Sequence, residues 1–136
     1  VKAAKKRLKD VPERKLLCFI IGDDTTDKLP PKQDLALVSQ VIHSLDETQA
    51  ARLLAKVYKA LNDGGAILVR DMLTNPAHTA PAGAALLSLN TLLYTDGGRC
   101  YSVDEVKARL AEVGFKKITH HRVVAGSNTS VLRAEK

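Results

Sequence analysis

Residues 34–71, DLALVSQVIHSLDETQAARLLAKVYKALNDGGAILVRD, decide the fold. Leu35-Ala-Leu-Val38 is an apolar run of strand length, read as a buried strand that continues through Ser39-Gln40-Val41-Ile42 to His43. Ser44-Leu-Asp-Glu47 has capping-box spacing, in which side chains at a helix start satisfy its open N–H groups, so a helix is expected from Ser44. Ala50, Leu53, Leu54, Val57 and Leu61 then recur at helical intervals, and Gly64-Gly65 is expected to end the helix. Ala66-Ile-Leu-Val69 is a further apolar strand, ending near Arg70-Asp71. Strand, helix, strand at this spacing is a βαβ unit, which makes the two strands parallel with a right-handed crossover.

The flanks extend this α/β reading. Residues 2–9 are helix formers, and Pro12 should stop that helix. Lys15–Ile21, KLLCFII, is continuously apolar, which suggests a strand covered on both faces, as in a parallel sheet. Gly22-Asp23-Asp24 closes it, and polar residues with two prolines carry a loop to Gln33. Beyond Asp71, residues 74–80 read as a loop. Pro81–Tyr94 reads as a helix apolar nearly all round, expected to be buried within the domain or at a subunit interface. Thr95-Asp-Gly-Gly98 breaks it. Ser102-Val-Asp-Glu105 repeats the capping-box spacing before a helix that runs to Gly114. Lys117–Val124 and Thr129–Ala134 then form an expected hairpin around residues 125–128.

Composition narrows the function classes. A chain of 136 residues suits one domain, residues 1–136, and 45% apolar content supports a core. Aromatics are 4% with no Trp, so few rings are available for stacking on bases. Of the six net positive charges, five lie before Leu16, where seven basic residues face Asp10 and Glu13. A solvated basic helix face is the expectation there, and nucleic-acid binding is disfavoured. No apolar run reaches the roughly 20 residues of a membrane span, and no apolar segment follows the basic start as a secretory leader would require. Cys18 and Cys100 lack CxxC spacing, so reduced thiols in a cytoplasmic protein are expected.

In open parallel sheets ligands bind beyond the carboxyl ends of the strands. Asp23 and Asp24, His43, and Asp71 fall there after the three successive strands. A histidine can take a proton from a hydroxyl while a carboxylate orients its ring, which makes His43 with Asp71 a candidate base and orienter. The same pattern also fits a polar residue before a helix cap and a carboxylate at a strand end. His120 and His121 are adjacent in a strand, so they face opposite sides and no shared metal site is expected. No Walker A loop, G-x-S-x-G or G-x-G-x-x-G occurs in the sequence.

Taken in order, Gly22-Asp23, Leu29-Pro30, DLALVSQVIHSLDE, LLAKVYKALNDGGAILVRD and LLSLNTLLYTDGGRCYSVDEVKARLAEVGFKKI resemble the S-adenosylmethionine-dependent O-methyltransferases of small-molecule hydroxyls, of the acetylserotonin, plant and bacterial type. The resemblance covers nearly the whole chain. It implies a partial Rossmann-like methyltransferase sheet, the C-terminal portion of a class I catalytic domain, and S-adenosylmethionine as cofactor. His43 matches the family's general base and Asp71 the carboxylate that orients it. Asp23 and Asp24 match the loop at the adenine end of the cofactor, Ser39 a cofactor contact, and Asn90 and Tyr94 the helix lining the acceptor pocket.

The departures carry information too. Ser44-Leu45 replaces the family's Asp-Trp after the histidine, and Cys100 stands where its G-G-R-E-R-T pattern has Glu. The family's Gly-rich loop, its first strands and its helical dimerisation domain have no counterpart in this sequence. Three expectations follow: a fragment completed by an N-terminal half, assembly as a homo-oligomer or with a partner, or a degenerate domain that has lost the cofactor. Weak or no binding of S-adenosylmethionine by the isolated chain is expected.

Overall fold

The computed structural model describes residues 1–23, 26–122 and 128–136. Asp24 and the hairpin residues 123–127 lie outside the described residues. Four strands form one mixed sheet: β1 (Gln33–Ser39), β2 (Leu61–Met72), β3 (Lys116–Arg122) and β4 (Thr129–Glu135), in the order β1-β2-β4-β3. β1 runs parallel to β2, pairing Val38 with Val69 and Ser39 with Arg70. β4 inserts antiparallel between β2 and β3, which closes the sheet with the expected hairpin.

Helix α1 spans Lys2–Arg7, α2 Glu47–Ala60, α3 Ala82–Tyr94 and α4 Val103–Val113. α2 is the crossover between β1 and β2 and buries Ala50, Leu53, Leu54, Val57 and Ala60, one stripe of its surface. That stripe meets Val38, Ile67, Val69, Leu132 and Ala134 of the sheet and Val106 and Leu110 of α4 in a single core. Side chains alternate along a strand, so Ile67, Val69 and Asp71 face this core. Leu68, Arg70 and Met72 take the other, half-open face. α4 ends at Gly114, whose φ of +112° is the left-handed cap that a side chain would strain.

Several expectations need correction. Lys15–Ile21 is not a strand: Lys15 and Leu16 belong to a 3-10 turn over Pro12–Leu16, and Ile20 and Ile21 are 62% and 84% exposed. An apolar run becomes a strand only against a partner ladder, and β1 is here a sheet edge with no strand paired outside it among the described residues. β1 itself is covered on one face only. Val38 is buried, whereas Leu35 and Leu37 are 56% and 63% exposed. It also stops at Ser39, because Gln40 turns to a φ of +56°.

The start of α2 shifts as well. Asp46 is the cap, accepting from the Gln49 N–H at 2.7 Å while the Gln49 side chain accepts from the Asp46 N–H at 3.0 Å. Ser44 instead donates to the Val41 carbonyl and closes a 3-10 turn over Ile42–Ser44. A second capping spacing, D-x-x-Q, overlaps the first by two residues, and Glu47 is drawn off to arginines. α2 ends at Ala60, so Asn62–Gly65 opens β2 rather than closing a helix. α3 buries only Ala84 and Thr91, leaving Leu86, Leu89, Leu92, Leu93 and Tyr94 exposed.

Candidate active site

The 3-10 turn after β1 holds His43. Ile42, 2% exposed, anchors this turn in the core, and the Ser44 and Leu45 N–H groups donate to Val41 and Ile42. β2 presents Asp71 at its carboxyl end, on the core face, with the side chain 1% exposed. The two meet: His43 Nδ1 lies 2.7 Å from Asp71 Oδ1. That oxygen also accepts from the Met72 N–H at 2.8 Å, which fixes the carboxylate. An ionised carboxylate only accepts, so Nδ1 carries the hydrogen and Nε2 is the basic nitrogen of the neutral ring. The hydrogen bond that Nδ1–H donates to Asp71 raises the His43 pKa above 6.5; partial burial of the ring pulls against it, and the Asp71 charge adds to the rise.

Two further segments shape the pair. Cys100 is fully buried, and burial together with the nearby Asp71 charge pushes its thiol up to about 11. It is therefore a neutral group, not a second carboxylate. Asp71 Oδ2 is buried without a hydrogen-bond partner among the described residues. The Gly97-Gly98 loop presses on the histidine turn: a Cβ on Gly98 would stand 2.7 Å from the His43 carbonyl oxygen.

Tyr101, which the sequence reading passed over, is buried and donates its hydroxyl to the Leu45 carbonyl at 2.8 Å. A buried tyrosine needs a partner for its hydroxyl, so a lone ring between G-G-R and a capping box was the available signal.

The remaining expected residues lie apart from this pair. Ser39 is half-buried and accepts from Arg70 Nη1 at 3.3 Å; paired with Arg70, it sits on the sheet face opposite Asp71. Asp23 is exposed, its Oδ1 accepting from the Thr26 N–H and its own N–H donating to Asp27. Asn90 and Tyr94 are exposed on α3, which rests against the turn carrying His43. His120 pairs with Ser130 and His121 with Thr119. Among the described residues no three metal-ligating side chains cluster, and no helix is long and apolar enough to cross a membrane.

Comparison with known proteins places the chain in a family. The O-methyltransferase domain family matches residues 1–116. Acetylserotonin O-methyltransferase of Gallus gallus is 34% identical over 122 residues, covering 90% of this chain and 34% of that protein. An O-methyltransferase family 2 protein from Planctomyces limnophilus, solved in complex with apigenin, superposes with a TM-score of 0.88. It is 33% identical over 99% of this chain and 39% of its own. Human N-acetylserotonin methyltransferase, solved in complex with S-adenosylmethionine, gives a TM-score of 0.76. Its identity is 28%, over 85% of this chain and 32% of its own. The chain thus spans about a third of the length of these relatives. By the family match and these identities, it belongs to the O-methyltransferase domain family.

Proposed function

We propose that this chain is the base-bearing, C-terminal portion of an S-adenosylmethionine-dependent class I methyltransferase domain that methylates a small-molecule hydroxyl. The observation that carries the reading is the 2.7 Å His43–Asp71 pair at the carboxyl ends of two parallel strands. His43 Nε2 takes the proton from the acceptor hydroxyl as its oxygen forms the new bond to carbon. Asp71 holds Nδ1–H, fixes the tautomer and stabilises the imidazolium that results. The proton then passes from His43 to solvent.

When bound, the cofactor would supply an electrophilic methyl group on a sulfonium, the C–S bond breaking as the O–C bond forms and leaving its electron pair on sulfur. Asp23 and Ser39 are proposed as its contacts on this chain. Asp23 lies in an exposed turn, Ser39 sits at the end of β1, and no Gly-rich loop occurs in the sequence. Asp24 is proposed alongside Asp23, and Asn90 and Tyr94 as acceptor-side residues. On this reading the chain alone binds the cofactor weakly or not at all. Two unpaired cysteines suit a reducing cytoplasm.

A second reading has its own support. Neutral Cys100 at the Glu position and the exposed leucines of α3 favour a non-catalytic domain that dimerises or binds a partner.

The deciding experiment measures transfer of radiolabelled methyl to a panel of phenols, using this chain joined to a Gly-rich cofactor-binding half, with His43 intact or as His43→Gln. A positioned base contributes roughly 10²–10⁴-fold, so the variant should lose that factor while still binding cofactor. Equal rates would remove His43 as the base. No transfer to any acceptor from a cofactor-loaded protein would favour the non-catalytic reading.

A further inference from the structure

Tyr101 touches both segments that carry the candidate pair. Its hydroxyl donates to the carbonyl of Leu45, two residues after His43, at 2.8 Å. Its own carbonyl accepts from the N–H of Thr74, three residues after Asp71, at 2.9 Å. The Val103 N–H returns to the Thr74 carbonyl at 3.1 Å, so the bridge on the β2 side is doubled.

The ring is itself held. Arg99 and Arg109 lie 4.9 and 5.3 Å from its centroid, in cation–π range. Arg99 is tied to Glu47 and Glu105 at 2.7 and 2.8 Å, and Arg109 to Glu47 at 3.1 Å. Glu105 is also the cap partner of Ser102, which locks the residue after Tyr101 to the start of α4. Burial raises the tyrosine pKa, while the two guanidiniums lower it and Glu47 and Asp46 raise it. The hydroxyl therefore stays protonated and able to donate at neutral pH.

We infer that Tyr101 is a positioning residue: one side chain and its own peptide fix the histidine turn to the end of β2, and so set the His43–Asp71 distance. The catalytic consequence rests on the reading of His43 as base; the clamp itself does not.

The test is a ¹⁵N NMR titration of the His43 ring in this chain and in Tyr101→Phe, which keeps the ring between the arginines and removes only the hydroxyl. With the pair loosened, His43 should bind its proton at least about threefold less tightly, its midpoint moving toward 6.5. Leu110→Val, a core change outside the site, should lower the melting temperature and leave that midpoint in place. Tyr101→Phe melting earlier with an unmoved His43 midpoint would make Tyr101 merely structural and overturn the inference.

Should Tyr101→Phe fail to fold, hydrogen exchange on the unmodified chain decides. The amides of Leu45 and Thr74 should open with the same equilibrium constant, within about threefold. Independent opening would overturn the clamp. Neither readout involves methyl transfer, so failure here is distinct from failure of the His43→Gln assay.

Discussion

Replacing Asp71 by Asn keeps the shape of the group facing His43 and removes its charge. In the native pair the Nδ1···Oδ1 distance is 2.7 Å, and Asp71 is 1% exposed, so little solvent screens the contact. A hydrogen bond to a charged group contributes about 1.5–3 kcal/mol. At 1.36 kcal/mol per decade this is roughly a 10- to 150-fold change in proton affinity. Partial burial of the ring lowers the same pKa and is untouched by the substitution. Asp71→Asn should therefore carry the His43 midpoint from above 6.5 to below it, read directly by ¹⁵N NMR titration.

The stability profile should reverse with it. A raised folded pKa contributes stability fully present below 6.5 and lost as pH rises through the folded value. The lowered pKa of the variant contributes stability present above 6.5 and lost as pH falls through that value and below. Melts across this range should show the two slopes. A His43 midpoint that stays above 6.5 in Asp71→Asn would refute the attribution of the shift to Asp71.

Two other perturbations probe the surroundings of the pair. A Cβ at Gly98 would clash with Thr95 Oγ1 and would also meet the His43 carbonyl oxygen at 2.7 Å and the Ser44 carbonyl carbon at 3.0 Å, the latter two backbone atoms. Gly98→Ala should therefore cost about 1–3 kcal/mol and lower the melting temperature by roughly 3–10 °C; an unchanged melt would show that the loop does not press on the turn. In brief iodoacetamide labelling at pH 8, exposed Cys18 should react while Cys100, buried with its thiol pushed up to about 11, stays unmodified until urea is added. Equal labelling of the two by mass spectrometry would contradict the burial of Cys100.

The βαβ unit was legible because its signals are local and agree. The leucine stripe of α2 and the apolar core of β2 each specify an element without reference to distant residues, as does the capping box of α4 at Ser102, whereas the cap spacing at Ser44 misplaced the start of α2. The pairing of His43 with Asp71 was legible as a candidate because parallel strands deliver their carboxyl ends to one edge. What periodicity did not specify was where an apolar element finds its cover. Lys15–Ile21 and the α3 leucines have the hydrophobicity of buried elements but no ladder or helix against them among the described residues. Tyr101 escaped because its role depends on two hydrogen bonds to residues 56 and 27 positions away, a relation invisible to periodicity.

The exposed apolar residues are not scattered with respect to the site. Leu35 and Leu37 lie on the strand that leads into the His43 turn, and the leucines of α3 lie on the helix that rests against it. Exposed apolar side chains on both elements are the kind of surface a partner covers. On the proposed reading, such a cover would also withdraw water from His43. Desolvation lowers the pKa of a histidine, the direction in which partial burial already acts on this one. In this chain Asp71 outweighs burial and holds the His43 pKa above 6.5. On the proposed reading, a cover would shift that balance toward neutral imidazole, while the 2.7 Å contact with Asp71 keeps Nδ1–H in place and leaves Nε2 to accept the proton.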